Sequence, residues 1–365
     1  MNSYIECYSY NGGNLKLIGI VDDFTSFTFE RSYSNIGEWQ IVISNYSNNA
    51  ACLKKADFIK AGKGMSGLIT KISQVKNDTD DTLTVVGVEL KGLTEKRIVM
   101  PKTGESHLTC KGTPEDVVKY ILQWELTSPQ DSKRQIAGQI VFDNNTATTE
   151  TLTYEGRFSS VSEDIITICE TYEIGWYADI ENGEITWHIY RGVDRKTTQS
   201  KNSRLIISYD YDSMSGSTLE QTIYNTNTAL IAGQGEGVDR ATTIINDDNA
   251  GLNRTEVYID ARDIEDDSLL PQRGVEKLAE YGSDYTFEIT PSNSYFINNY
   301  RNGYDLGDVG TLKEEGVDFR LTSITEINEN NQFSLSFVFG YDTATLEGVF
   351  KRMRGNTDAL ISKEA

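Results

Sequence analysis

The stretch "IGWYADIENGEITWHIY" at residues 174–190 consists of two apolar runs joined by Asn182 and Gly183. Asn-Gly is the preferred pair for a two-residue type I′ hairpin turn, because both positions need a positive φ. A loop of this length fixes the register and predicts that Tyr177 faces His188 on one side of the hairpin. The other side is apolar and is expected to pack on the helices of the same region. We therefore predict that His188 is solvated on the more polar side rather than catalytic.

Two helices are predicted before the hairpin. The stretch 113–126, "TPEDVVKYILQWEL", begins with a capping Thr and a Pro that fits the first turn, and its apolar residues follow a helical period. A second helix is predicted over 160–172, where Ser160 and Glu163 have the spacing of a capping box. Together with the hairpin, these helices make residues 107–200 an α+β region.

The regions on either side, 1–106 and 201–345, contain short alternating runs separated by turn residues. This pattern is typical of small barrels or sandwiches. The clearest runs are "SGLITKISQV" at 66–75, "TLTVVGVEL" at 82–90 and "QFSLSFVFG" at 332–340. One helix is predicted within the second region, and the tail 346–365 is mixed in character. The sequence thus predicts a mainly β protein with α+β parts, in which 107–200 is inserted between two β regions.

The charge of the chain is strongly acidic. Its 365 residues carry 34 Lys and Arg against 55 Asp and Glu, which gives a formal net charge of −21. Such a chain repels nucleic acid and anionic membrane surfaces. We therefore expect no sequence-specific nucleic-acid binding and no membrane insertion. The sequence also shows no export signal, and we expect its cysteines, which are Cys7, Cys52, Cys110 and Cys169, to be free thiols in a reducing cytoplasm.

Catalytic and metal-binding patterns are missing from the sequence. His107 and His188 are the two histidines, and neither belongs to a metal-binding spacing such as HExxH. No GxSxG nucleophile elbow occurs, and "GKGMSG" at 62–67 lacks the order of a phosphate-binding loop. We predict that the chain is not an enzyme, with no catalytic residue, no cofactor and no metal site.

The stretch "AGQGEGVDR" at 232–240 has glycines at alternate positions. Such glycines could indicate a nucleotide-binding loop, which would contradict the prediction of no cofactor. A dinucleotide-binding fingerprint needs a helix that opens directly on the last glycine, and the polar, β-branched sequence that follows has no helical face. The glycines are interpreted instead as a bend or bulge, with an ion pair between Glu236 and Arg240 beside it. The predicted turn and bulge residues are Gly233, Gly235 and Gly237 here, and Asn182 and Gly183 in the hairpin.

An ordered set of motifs resembles the phage tail hub family, the Gp37-like siphovirus tail proteins. "GLITKI" at 67–72 and "LKGLTEKRIV" at 90–99 resemble the end of the first hub barrel. The helix at 160–172 and its hairpin resemble the second domain. The later motifs are "AGQGEGVDR", "GVEKLAEY" at 274–281, "YDLGDVGTL" at 304–312, "FRLTSITEI" at 319–327 and "FSLSFVFG" at 333–340. The resemblance covers nearly the whole chain.

The resemblance implies a gp27-like hub with two β-barrels, in 1–106 and 201–345, and smaller α+β domains. It implies a homotrimer whose barrels form a pseudo-sixfold ring, which joins the hexameric tail tube and distal tail protein to the tail tip or fibre. The location implied is the virion tail, after assembly in the host cytoplasm. The lysin domain of longer relatives is not expected. The resemblance does not separate a siphophage from a contractile tail or a bacteriocin-like particle.

Two alternatives stay open from the sequence. A secreted β-protein that binds or degrades polysaccharide suits the aromatic strands and the acidic composition. A chaperone-like or immunity protein of a prophage is the other. If the chain forms a hub ring, acidic loop residues are expected to line its channel so that DNA does not stick; a uniformly acidic, soluble surface is the competing interpretation. The candidate lining residues are Asp78, Asp80, Asp81, Asp247 and Asp248.

Overall fold

The architecture is taken from a computed structural model. It describes residues 4–11, 13–77, 81–143, 150–211, 213–221, 226–279, 285–291, 299–314, 316–329 and 332–340. The predicted tail 346–365 and the loop residues Asp78 and Asp80 lie outside these ranges.

Strands dominate the chain, as predicted. Those before the α+β region are β1 (Ile5–Asn11), β2 (Asn14–Val21), β3 (Ser26–Ser32), β4 (Glu38–Ser44), β5 (Phe58–Lys60), β6 (Ser66–Lys76) and β7 (Asp81–Glu89). Those within it are β8 (Leu108–Gly112), β9 (Gly138–Phe142), β10 (Leu152–Gly156), β11 (Gly175–Glu181) and β12 (Glu184–Tyr190). Those after it are β13 (Ile206–Ile207), β14 (Met214–Gln221), β15 (Thr228–Ala232), β16 (Thr242–Ile245), β17 (Glu256–Asp260), β18 (Tyr285–Pro291), β19 (Val309–Leu312), β20 (Val317–Glu329) and β21 (Gln332–Gly340).

The described helices are few and short. They are α1 (Ala50–Leu53), α2 (Pro114–Leu122), α3 (Val161–Thr171) and α4 (Leu270–Ala279). The Thr113 hydroxyl caps α2 by accepting from the Asp116 N–H, as its sequence predicts. The helix α3 is confirmed, but its predicted capping box is not formed, because the Ser160 side chain makes no cap hydrogen bond and contacts the Ser162 hydroxyl instead.

One 13-stranded sheet takes strands from both β regions. Its described path is β14-β18-β21-β20-β3-β4-β7-β6-β5-β1-β2, with β19 beside β20 and β13 beside β19. The mainly β class is confirmed, but in the described residues this path is open and closes into neither predicted barrel. The reason is that β3 pairs antiparallel with β20, from Ser26 opposite Glu329 to Ser32 opposite Ser323, so each half continues into the other.

The two halves of this sheet repeat one arrangement. Outward from the β3–β20 contact, the order is β3-β4-β7-β6 on one side, here called the N-terminal half. On the other side it is β20-β21-β18-β14, the C-terminal half. Each half has an inner hairpin, β3–β4 or β20–β21, and an outer antiparallel pair, β6–β7 or β14–β18. The inner hairpin comes first along the chain in the N-terminal half and last in the C-terminal half.

The α+β region packs a small sheet against helices. The β11–β12 hairpin has the predicted register, with Tyr177 opposite His188, and β9 adds to it in parallel. Trp176 and Trp187 on its apolar side stack with ring centroids 6.3 Å apart. They share a hydrophobic cluster with α2, α3 and the adjoining part of the N-terminal half, to which Leu90 belongs. The expectation that this side of the hairpin packs on the helices is confirmed.

A second small unit lies between β14 and β18. The strands β16-β15-β17 form a three-stranded sheet, and its apolar residues pack on α4. We call residues 226–279 the inserted module. The Gln272 side chain on α4 joins it to the α+β region by exchanging hydrogen bonds with the backbone of Thr153 on β10. The domain boundaries at 106, 200 and 345 stay predictions.

Candidate functional site

The candidate functional site is the junction where the two halves of the large sheet meet the α+β region. Tyr33 follows β3 and is completely buried. Its N–H donates to the carbonyl of Thr322 on β20, and its own carbonyl accepts from the N–H of Trp176 on β11. One residue therefore links the N-terminal half, the C-terminal half and the α+β region through its backbone.

The Tyr33 ring packs against two glycines. A β-carbon added to Gly175 would lie 2.2 Å from the ring, and one added to Gly307 would lie 2.3 Å from it. Gly307 also has a φ of 90°, which residues with side chains rarely adopt. The Tyr33 hydroxyl donates to the Glu173 carbonyl and accepts from the Gly192 N–H. The junction therefore has room for this ring only because both contact positions lack side chains.

A buried ion pair lies beside Tyr33. The Lys91 ammonium donates to the carbonyls of Ser32 (2.6 Å) and Trp176 (3.1 Å) and lies 3.1 Å from the Glu89 carboxylate. Glu89 in turn accepts from the Gly37 N–H at 2.8 Å. Burial raises the pKa of Glu89 and lowers that of Lys91, and their mutual attraction opposes both shifts. The pair ties β3, β7 and β11 together, and removing either partner would leave a buried charge.

A polar cavity of about 620 Å³ opens beside the junction. Arg31 on its wall donates to the Asp305 carboxylate at 2.8 Å, and Arg195 donates to Asp308 at 2.5 Å. Burial raises the pKa of Asp305, but the attraction and hydrogen bond of Arg31 outweigh it and hold that pKa below its usual value. Burial raises the pKa of Asp308, and its hydrogen bonds from Val193 and Arg195 do not offset this. The two arginine–aspartate pairs hold together the chain segments that line the cavity, and in each pair the positive charge balances the negative one.

His188 is buried, and the prediction that it is solvated is wrong. The residue is 6% exposed and its ring stacks on Tyr177 with centroids 4.3 Å apart. Its Nδ1 lies 2.7 Å from Asp143 and its Nε2 lies 3.3 Å from Glu181. The second side of the hairpin is covered because Asp179 accepts hydrogen bonds from Gly64 and Ser66 in the N-terminal half.

His107 is also buried, although it lies in a polar stretch of sequence. Its side chain is 6% exposed, and its Nδ1 lies 3.2 Å from the Ser106 hydroxyl and 3.6 Å from Glu265 in the inserted module. The two histidines lie in different parts of the α+β region and form no common site. That neither is required for an activity stays a prediction.

The glycine-rich loop after β15 bends without opening a helix. Gly235 and Gly237 have φ of 104° and 58°, and residues 237–239 make a single 3₁₀ turn before β16 begins. No helix dipole therefore points at this loop. The predicted ion pair with Glu236 is wrong: Arg240 donates to Asp260 at 2.6 Å and to the Ala232 and Gly233 carbonyls. The planar Arg240 guanidinium donates to β17 and to the end of β15 at the same time. Pairing with the neighbouring Glu236 would not connect these two strands.

The other predicted turn is the one that joins β11 to β12. Asn182 and Gly183 have φ of 51° and 82°, the positive values that a type I′ turn needs. The structure does not bring these two residues together with Gly233, Gly235 and Gly237, because the two turns join strands of different sheets.

Groups of metal ligands and membrane-spanning helices were both looked for in the described ranges. Within them, no three His, Cys, Asp or Glu side chains are grouped as a metal ion would require. No helix in that part of the chain combines the length and apolar character needed to span a bilayer.

Three solved tail proteins have similar folds. The 43 kDa tail protein of prophage MuSo2 from Shewanella oneidensis matches with a TM-score of 0.52 at 12% identity, over 92% of this chain and 97% of that one. Prophage tail protein gp18 from Listeria monocytogenes EGD-e matches at 0.52 and 8% identity, over 98% and 100%. The tail protein from Neisseria meningitidis MC58 matches at 0.50 and 14%, over 93% and 97%. At these identities the likeness shows the fold alone.

Sequence similarity decides the family. The family model of the siphovirus ReqiPepy6 Gp37-like protein matches residues 8–341. The chain belongs to this family. No curated protein matches the chain at a significant level. Membership confirms the resemblance and favours a phage tail protein over the secreted polysaccharide-binding alternative.

The acidic residues proposed to line a channel have different environments in this Gp37-like chain. Asp81 is 5% exposed as the first residue of β7, where it accepts from the Gln74 amide, so it is not a free loop acid. The alternation of β7 turns Asp81 inward with Leu83. Asp247 is exposed and pairs with Arg254 at 3.1 Å, and Asp248 is exposed.

The junction of this Gp37-like protein was not predicted from the sequence. Its signal was present in β7, where alternation puts Glu89 on the same buried side as Leu83 and Val85. A carboxylate on an apolar side requires a partner, and Lys91 follows two residues later. Tyr33, Gly175 and Gly307 gave no comparable signal, because they meet only when distant segments pack.

Proposed function

We propose that this Gp37-like protein is a structural hub of the phage tail, three copies of which form a ring. The ring joins the tail tube and its distal tail protein to the tail tip or fibre. The observation that carries the proposal is the repeated strand arrangement in the two halves of the large sheet. Three chains contribute six similar halves, which suits the hexameric tube that the resemblance implies. The fold likeness to prophage tail proteins supports the same role.

The ends of the large sheet supply the contact between copies. In the described residues, β2 at one end pairs only with β1, and β14 at the other end pairs only with β18. A head-to-tail contact between two different surfaces closes into a ring when the rotation from one copy to the next adds up to a full turn. We propose that the β2 end of one copy meets the β14 end of the next. The side chains of Leu17 and Ile20 on β2 are 47% and 49% exposed, as expected of a strand that a neighbour covers.

Native mass spectrometry of the purified chain tests the ring. We expect a mass of three chains. Changing Leu17→Lys and Ile20→Lys together should shift the population to monomer while the circular dichroism spectrum stays unchanged, because two charges would be buried at the contact. Val238→Lys is the matched control, since that side chain is fully exposed in the loop after β15. A wild-type monomer at all accessible concentrations would contradict the trimer, and an unaffected trimer in the double variant would contradict the β2 contact.

The channel of the ring is proposed to let DNA pass without binding it. The formal net charge of −21 supports this role, because like charges give the DNA backbone no site to hold. We expect no retardation of duplex DNA by the trimer even at low salt, where electrostatic binding is strongest. Retardation that salt abolishes would reveal a basic surface and contradict an acidic channel.

A further inference from the structure

Two cysteines meet at the free end of the large sheet. Cys7 lies on β1, is completely buried, and faces Gly19 on β2. Cys52 lies on α1, which packs against β2. A β-carbon added to Gly19 would lie 2.7 Å from the Cys52 Sγ, so that sulfur occupies the space next to Cys7 that a larger residue would fill.

The geometry sets this pair apart from the other two cysteines. Cys7 and Cys52 are both free thiols, and the neighbouring Cys52 is one cause of the raised pKa of Cys7. Cys7 belongs to the hydrophobic cluster that the N-terminal half shares with β1, and Cys52 packs against that cluster. Cys110 on β8 and Cys169 on α3 belong to the cluster of the α+β region instead. Two cysteines from segments distant in sequence therefore converge on the Cys7–Gly19 strand pair in the folded chain.

We propose that Cys7 and Cys52 are a latent disulfide that forms when the folded protein meets an oxidising environment. Chains folded in a reducing cytoplasm keep their thiols, whereas the surfaces of released virions are oxidising. The bond would join α1 to β1 and close the loop that carries β2, β3 and β4. It would thereby fix the free end of the sheet. The inference depends on the position of the two sulfurs and not on the hub proposal.

A small disulfide such as oxidised glutathione supplies the oxidising equivalents. The Cys52 thiolate, which is the accessible one, attacks a glutathione sulfur, forms a mixed disulfide and releases one glutathione thiolate. Cys7 then loses its proton and attacks the Cys52 sulfur, which displaces the second glutathione thiolate. Two protein thiols are oxidised and one glutathione disulfide is reduced to two thiols. Burial and the neighbouring Cys52 raise the pKa of Cys7, which makes the second step the slower one.

Alkylation and peptide mass spectrometry test the proposal on the full chain. The reduced protein is incubated with oxidised glutathione, then unfolded and alkylated. We expect two of the four thiols to be protected, a linked peptide pair containing Cys7 and Cys52, and full reversal by dithiothreitol. The melting temperature should rise by about 5 °C, since the cross-link restricts the unfolded chain.

Two variants separate this pair from general oxidation. Cys52→Ser should abolish both the linked peptide and the rise in melting temperature, and it is preferred to a change at Cys7 because its side chain is only half-buried. Cys110→Ser is the matched control and should keep both effects. The proposal is overturned by full alkylation after oxidation, by glutathione that stays on Cys52, or by a link between other cysteines or between chains.

Discussion

The two halves of the large sheet place equivalent strands in equivalent positions but connect them differently. In the N-terminal half, the outer strands β6 and β7 are joined by residues 77–80 alone. In the C-terminal half, the corresponding strands β14 and β18 are joined by residues 222–284, which contain the inserted module. A hairpin turn at the surface accepts a folded unit because the entropy of closing a loop grows slowly with its length.

The halves also differ in how their buried carboxylates are neutralised. In the N-terminal half, Glu89 is paired with Lys91, whose side chain is 0% exposed. In the C-terminal half, Glu326 on β20 is equally buried, but its partner Arg301 is 27% exposed and the Tyr300 hydroxyl donates to the same oxygen. A single deeply buried partner makes the first half more sensitive to one substitution than the second.

The largest effect is expected where the ion pair is fully buried. Lys91→Met should lower the free energy of unfolding by about 3–5 kcal/mol, because Glu89 loses its counter-charge in the core. Arg301→Met should cost only about 1–2 kcal/mol, since the Tyr300 hydroxyl still donates to Glu326. Equilibrium urea unfolding of both variants measures the difference. Equal losses would show that the two halves do not differ in this respect.

The contact between the halves is expected to be the next most sensitive point. Gly307→Ala should cost about 2–4 kcal/mol, because the new methyl group clashes with Tyr33 and the φ of 90° is strained. Gly104→Ala is the control: Gly104 has a φ of 89° but no atom within 4 Å of an added β-carbon, so it should cost only about 1 kcal/mol. The difference between the two variants measures the Tyr33 packing. If both lose the same stability, the ring contact contributes nothing.

The contact between the inserted module and the α+β region is expected to make the stability of the protein depend on pH. Burial raises the pKa of Asp164 on α3 and of Glu276 on α4, which face each other where the module meets the α+β region. A raised carboxylate pKa contributes stability that is present below the unfolded-state pKa and is lost as pH rises through the folded-state pKa. The free energy of unfolding should therefore be higher near pH 5 than near pH 7.5, by about 1 kcal/mol.

The double variant Asp164→Asn and Glu276→Gln serves as the control for this pH effect. The double variant should lose most of the difference in the free energy of unfolding between the two pH values. The part of that difference that comes from weaker repulsion among the other acidic residues at low pH should remain. Urea unfolding at the two pH values gives both numbers. A variant with the same pH dependence as the wild type would contradict the assignment to these two carboxylates.

The smallest effect is expected from removing the module altogether. Replacing residues 222–284 by Asn-Gly converts the outer pair of the C-terminal half into a simple hairpin like that of the N-terminal half. The stability of the sheet should change by less than about 1 kcal/mol, because the module contributes no strand to it. Replacing 77–80 by Asn-Gly is the matched control. Loss of hydrogen-exchange protection in β20 and β21 would show that the module supports the sheet.

The sequence by itself determined the elements whose signals are local. The Asn182–Gly183 turn set the register of its hairpin, Thr113 set the start of α2, and the alternation over 332–340 predicted the strand β21. These follow from neighbouring residues, since turn φ angles, caps and side-chain periodicity are properties of short segments. The family resemblance added the tail-protein class.

The tertiary structure alone decided how those elements combine. The pairing of β3 with β20, which opens the two predicted barrels into one sheet, joins residues about 300 positions apart, and the alternation of either strand suits many partners. The burial of His188 depends on Asp143, which follows β9, and on the loop at Gly64, and the place of Tyr33 depends on Gly307. Each of these contacts is made between segments that the chain order keeps apart, so no short stretch of sequence contains both sides of it.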